Sequence, residues 1–243
     1  ILGIARALGK LCEPENFKRK YGVCDDDTGI LLFAVGDGNH SLASAKVHWE
    51  EIKKTLTPSE CLNHPARYAL VEVVNVHDKG IVFESINRVL FNVNPSLALS
   101  AMEAYFSSYS ETRITYYDSR REAEQQLKEL KEKNTHVFSF TAGSIHGTVV
   151  LSSPKFNLET GTLQDFLDKF LKDNPPARID YIHGNDVVES LGSKPGNIGF
   201  YLPSIDKHDL FRTILLDGAL PRKTFSMGEA EEKRYYLECR KIV

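Results

Sequence analysis

Six consecutive residues, Gly36-Asp37-Gly38-Asn39-His40-Ser41, combine two glycines with a carboxylate, an amide, an imidazole and a hydroxyl. An imidazole titrates near neutrality, so His40 suits proton transfer or direct ligand contact, or simply the capping of its own helix. Asp37 could orient His40, bind a metal attached to phosphate, or satisfy turn amides. The flanking residues define the setting. Gly29 to Val35 is a run of seven residues without a charge, which reads as a buried strand. After the glycine break, Leu42, Ala45, Trp49 and Ile52 recur at three and four, the spacing of a helix. A glycine turn from strand to helix points free N–H groups and the positive end of the helix dipole at one place. Gly36, Gly38, Asn39 and Ser41 therefore join His40 and Asp37 as candidates for holding phosphate or carboxylate.

Further candidates lie downstream. Arg67 to Val76 reads as a second strand, with Glu72 the one charge among Ala69, Leu70, Val71, Val73, Val74 and Val76. Glu72 there faces solvent, pairs with a cation, or serves a site as proton carrier. His183, beside Gly184 at the end of an expected strand, sits where α/β ligand sites often fall. Arg88 could neutralise ligand charge.

Other chemistries find little support. His40 and His48 are eight residues apart, ~12 Å along a helix, too far to share one ion. The histidines are otherwise scattered, with no H-E-x-x-H, and Asp25-Asp26-Asp27 reads as a solvated turn. No metal held by protein alone is expected. A serine hydrolase elbow, G-x-S-x-G, is missing. Gly36 and Gly38 begin a dinucleotide fingerprint that Ser41 then breaks.

The elements that position these residues follow from periodicity. Ile1, Ile4, Leu8 and Leu11 mark a first helix, and Thr57-Pro58-Ser59-Glu60 a helix start. Turn residues His77-Asp78-Lys79-Gly80 imply a hairpin from 67 to 90. Beyond Asn94-Pro95, helices are expected near 96–108, 119–133, 162–171, 185–191 and 207–216. Strands are expected at 113–117, 136–141, 147–151, 178–182 and 197–202, with one or two more in the tail from 221 to 243. The fold class is α/β (α+β mixed), with mixed sheets and flanking helices, divided at 1–94 and 95–243.

At 243 residues with net charge −3, the chain lacks the basic excess of a general nucleic-acid binder. No apolar run reaches the ~20 residues that span a bilayer, so no membrane role is expected. Cys12, Cys24, Cys61 and Cys239 show no C-x-x-C spacing and suit reduced thiols in a cytoplasm. Ile1 in place of Met is what a fragment or processed product would show.

Leu32 to Ala43, with its D-G-N-H-S turn, resembles the hallmark of the bacterial and archaeal family called domain of unknown function 1015. Lys79-Gly80-Ile81-Val82 through Arg88-Val89-Leu90 is similar to that family's P-G-L-V…H-R-L-L segment. Ile179-Asp180-Tyr181-Ile182-His183 resembles its I-D-Y-V-H, and Leu220 to Ser226 its M-P-x-K-S-T-x-F, which marks Lys223 and Thr224 as phosphate-friendly groups. The D-G-x-H turn is also similar to the ParB and sulfiredoxin superfamily, whose turn binds nucleotide phosphates; this implies a ParB/sulfiredoxin-like part at 1–94. Ser41 stands where that pattern has arginine, and Asn87 where the first family has histidine. The lost guanidinium removes a bidentate phosphate clamp.

The expected function is binding of a phosphorylated small molecule or nucleotide at Gly36–Ser41. If the chain is an enzyme, phosphoryl transfer is expected, with Mg²⁺ arriving with the nucleotide. The alternative is a non-catalytic regulatory or interaction module that keeps the fold.

Overall fold

A computed structural model of the chain describes residues 2–22 and 29–228. Its centre is a seven-stranded sheet. Six strands, β1 (Phe83–Phe91), β2 (Thr112–Tyr117), β3 (Thr135–Ala142), β4 (Ile145–Ser152), β5 (Arg178–His183) and β6 (Ile198–Tyr201), run in the order β2-β4-β3-β6-β1-β5. The short β7 (Phe225–Met227) pairs with the first residues of β1, Phe83 to Ser85. Every described pairing is antiparallel. The expected mixture of helix and strand is present, and the described ladders of its sheet are all antiparallel.

The helices are α1 (Leu2–Leu11), α2 (Pro14–Tyr21), α3 (Asn39–Ile52), α4 (Pro58–Asn63), α5 (Pro95–Ser107), α6 (Arg120–Leu130), α7 (Glu159–Asp173), α8 (Asn185–Gly192) and α9 (Leu210–Asp217). Their starts follow local chemistry. The Asn94 side chain accepts from Leu97 N–H ahead of α5, and that of Ser119 accepts from Glu122 N–H ahead of α6. Thr57 and Glu60 form a reciprocal capping box at α4.

Apolar side chains from both sides of these elements make the main core. Leu90, Phe138, Phe140 and Phe200 of the sheet meet Met102 and Phe106 of α5 and Leu163 and Leu167 of α7, all 0–1% exposed. Two glycines let α8 lie close on the sheet. A Cβ on Gly192 would sit 2.7 Å from the Gly199 backbone nitrogen of β6, closer than packing allows. A second, smaller core gathers Phe83, Leu210 and Phe211, against which Leu31, Ala34, Val76, Phe225 and Met227 pack.

Two expectations fail here. Residues 29–35 and 67–76 are not strands, and the hairpin from 67 to 90 does not form. Both segments lie without a ladder, and β1 pairs with β5, β6 and β7 instead. Leu31 and Ala34 dock on the second core, while Phe33 and Val35 are 54% and 49% exposed. Leu70, Val71, Val73 and Val74 are 50–65% exposed. An apolar run suits a covered strand, but the ladder must come from a neighbour, and among the described residues no strand pairs with either segment.

The element reading from 95 to 217 holds within a few residues. The Asp25–Asp27 turn, Cys24, Cys239 and the tail beyond Gly228 lie outside the described residues. Cys12 is an exposed free thiol and Cys61 a half-buried one.

Candidate functional site

The turn before α3 is built by one glycine. Gly38 has φ +75°, in the left-handed region where a side chain is disfavoured, and the chain reverses there into the helix. Its N–H donates to the Asp37 carboxylate at 2.8 Å, and its carbonyl accepts from Leu42 N–H at 2.9 Å, the first bond of α3. The Asn39 side chain donates to the Val35 carbonyl at 3.4 Å. No side chain caps this helix. The N–H groups of Asn39, His40 and Ser41 find no partner among the described residues, and all six residues of the turn are exposed. Three amides therefore stand open at the positive end of a helix of 14 residues. The Met227 side chain lies against the turn, its Cε 3.1 Å from where a Cβ on Gly36 would be.

Beside this helix start lies a groove of about 440 Å³. Leu42, Ala45 and Trp49 of α3 form one wall and residues 66–69 the other, with Asn39 and Lys46 also lining it. The Arg67 guanidinium lies over the Tyr68 ring, 5.6 Å from its centre, and Trp49 tilts against His64 with ring centres 5.8 Å apart. The apolar face read from the α3 spacing is the face on this groove. A nearby cationic pair and aromatic walls suit a planar or apolar group beside an anion.

The proton carriers expected from the sequence lie elsewhere. His40 and Ser41 do not line the groove. Successive helix residues turn by about 100°, which carries His40 round from the face that Asn39 presents. Asp37 and Glu72 do not line it either, and Glu72 is exposed in the irregular segment 68–76.

Arg88, Lys223 and Thr224 belong to a different place. Arg88 is wholly buried in β1, its guanidinium donating to the carbonyls of Ile86 and Arg222 and to Gln164 Oε1 on α7 at 3.4 Å. It lies 5.0 Å from the Tyr181 ring centre, and burial pushes its pKa down to about 10. Thr224 is buried and its hydroxyl donates to the Pro221 carbonyl at 2.6 Å; Lys223 is exposed with φ +57°. His183 is exposed at the end of β5, opposite Ile86. Arg88 lies five residues along β1 from Phe83, roughly 17 Å at strand rise. Phe83 in turn is opposite Met227, the residue against the turn. Arg88 therefore does not replace the arginine that Ser41 lacks. Asn87, the other departure, is a buried tie: its amide donates to Asn185 at 2.9 Å and accepts from Leu202 N–H at 2.9 Å.

The sequence reading passed over Tyr181, Gln164 and Asp168 around Arg88, and Tyr68 and Lys46 in the groove. Gln164 could have been found: it interrupts the inward face of α7 between Leu163 and Leu167. Among the described residues, no three of His, Cys, Asp and Glu come together as metal ligands. Nor is any described helix long and apolar enough to cross a membrane.

The model of the family described as Protein of unknown function (DUF1015) matches residues 15–170. That span includes the turn, the groove and β1 through β4. No curated protein and no solved structure matches the chain.

Proposed function

Taking as premise that the chain belongs to the DUF1015 family, we propose that it binds a phosphorylated small molecule, with its phosphate on the N–H groups of Asn39, His40 and Ser41. The resemblance of the turn to the ParB and sulfiredoxin superfamily favours a nucleotide within that class. The observation that carries the reading is Asn39, which both opens α3 with an amide that has no partner among the described residues and lines the groove. A ligand with an anionic end and a flat, apolar body fits the two features side by side, the phosphate at the helix head and the body against Trp49 and Tyr68. Lys46 and Arg67 supply positive charge in place of the clamp that Ser41 lacks.

The reading is of a binding site before it is of an active site. Phosphoryl transfer would need His40, Asp37 or Glu72 to reach the ligand from outside the groove, and Mg²⁺ would have to arrive with the nucleotide. The second reading, an interaction module, is favoured by the exposed side chains of Leu70, Val71, Val73 and Val74, an apolar stretch of the kind that meets another polypeptide.

A thermal-shift panel of nucleotides, phosphosugars and phosphoamino acids, with and without Mg²⁺, separates the two readings. Ligand at a hundredfold excess over its Kd adds about 2.7 kcal/mol of stability. The expected result is stabilisation by one phosphorylated class, weakened in Trp49→Ala and in Lys46→Gln. Stabilisation that is also lost in His40→Ala would add a proton carrier or direct contact. No response to any compound would contradict ligand binding and leave the interaction module.

A further inference from the structure

Arg88 is an arginine at 0% exposure that, among the described residues, has no carboxylate within ion-pair distance. Its three hydrogen-bond partners are neutral oxygens, those of Ile86, Arg222 and Gln164. A buried cation without a counter-charge is costly, and desolvation is the largest cause of its lowered pKa. A second guanidinium shares the same aromatic ring: the Arg222 and Arg88 guanidinium carbons lie 5.7 and 5.0 Å from the Tyr181 ring centre. Arg222 is exposed, and the next residue, Lys223, is a third cation, exposed and with no ion-pair partner among the described residues. Among the described residues one carboxylate answers them. Asp168 meets Arg222 at 3.5 Å and accepts from Gln164 at 2.8 Å. The Tyr181 hydroxyl is buried and has no hydrogen-bond partner among the described residues. Two guanidinium groups, one carboxylate and a hydroxyl without a partner among the described residues thus meet where the turn at 221–224 reaches α7 and β5, with Lys223 the next residue of that turn.

We infer that this is a second anion site, one that takes a phosphate group. Arg222 and Lys223 receive the group from solvent, while Arg88 supplies positive charge from beneath, where little water screens it. The surplus of about two positive charges matches a phosphate dianion better than a single carboxylate. The site is independent of the turn before α3, because Arg88 sits far along β1 from the strand residue paired beside that turn.

The test follows the arginine Nε–H signals of ¹⁵N-labelled protein during titration with inorganic phosphate at constant ionic strength, with acetate as the comparison. The signals of Arg88 and Arg222 are expected to shift together along one saturable curve. Arg222→Gln and Lys223→Gln, both at exposed positions, should each weaken binding about tenfold, the worth of one charge-assisted contact. Tyr181→Phe should weaken it as well. Asp37→Ala and His40→Ala should leave the curve unchanged, so failure at either anion site is read separately. Shifts that do not saturate, acetate binding as tightly as phosphate, or Arg222→Gln and Lys223→Gln curves matching the parent would overturn the inference.

Discussion

His40 and His136 show how one residue type takes opposite settings. His40 is exposed at the head of α3, whereas His136 is 6% exposed in β3, its Nδ1 2.8 Å from the Thr162 hydroxyl. Burial, only partly offset by the Glu159 charge, holds the His136 pKa below the ordinary histidine value. His77, Nδ1 to Nδ1 with His208 at 2.7 Å, is lowered chiefly by burial too. The sign follows from which state binds the proton better. The unfolded chain takes it up near pH 6.5, while the folded protein resists, so stability is full above that pH and falls as pH drops below it. One such group contributes a slope of at most about 1.4 kcal/mol per pH unit. Denaturant unfolding between pH 7 and 5 should therefore show stability falling with acid, and His136→Gln should flatten the fall. An equal slope in the variant would assign the acid sensitivity elsewhere. The types at the turn, and the glycine break from the apolar run into α3, were legible in the sequence; that Gly38 is the left-handed residue was not. Which side of α3 each residue faces relative to a groove was not, because the second wall comes from residues 66–69, distant along the chain.

At the scale of elements, the sequence was most legible where the periodic face meets a partner within the same sheet. The β3–β4 hairpin, closed by Gly143 at φ +67°, and the helix α7 with Leu163, Phe166 and Leu167 inward, lie where alternation and three-four spacing put them. Segments 29–35 and 67–76 carry stronger apolar runs than several true strands, yet among the described residues neither joins a ladder. Composition reports that a stretch prefers a covered environment; pairing depends on a neighbour that composition does not name. Amide hydrogen exchange should separate the two cases. Amides of Phe138, Phe140 and Val149, in the centre of the sheet, are expected to exchange slowly, whereas those of Leu70 to Val74 are expected to exchange many-fold faster. Equal protection would mean that 67–76 is paired in solution.

For the whole molecule, a net charge of −3 conceals two local concentrations of positive character. One is the head of α3 with Lys46 and Arg67, and the other is Arg88 with Arg222 and Lys223. The family resemblance marks segments 32–43 and 220–226, and the residue reading offers Arg88 or Lys223 as charge partners for a ligand at the turn. Only the register of β1 against β5 and β7 separates the two concentrations. The most direct measurement is an amide NMR titration with ATP and a phosphosugar in parallel. If the head of α3 holds phosphate, the N–H signals of Asn39, His40 and Ser41 shift saturably with a ligand that also moves the Trp49 indole signal. Saturable binding that leaves those three amides and Trp49 unmoved, or no binding by any phosphorylated compound, would contradict it.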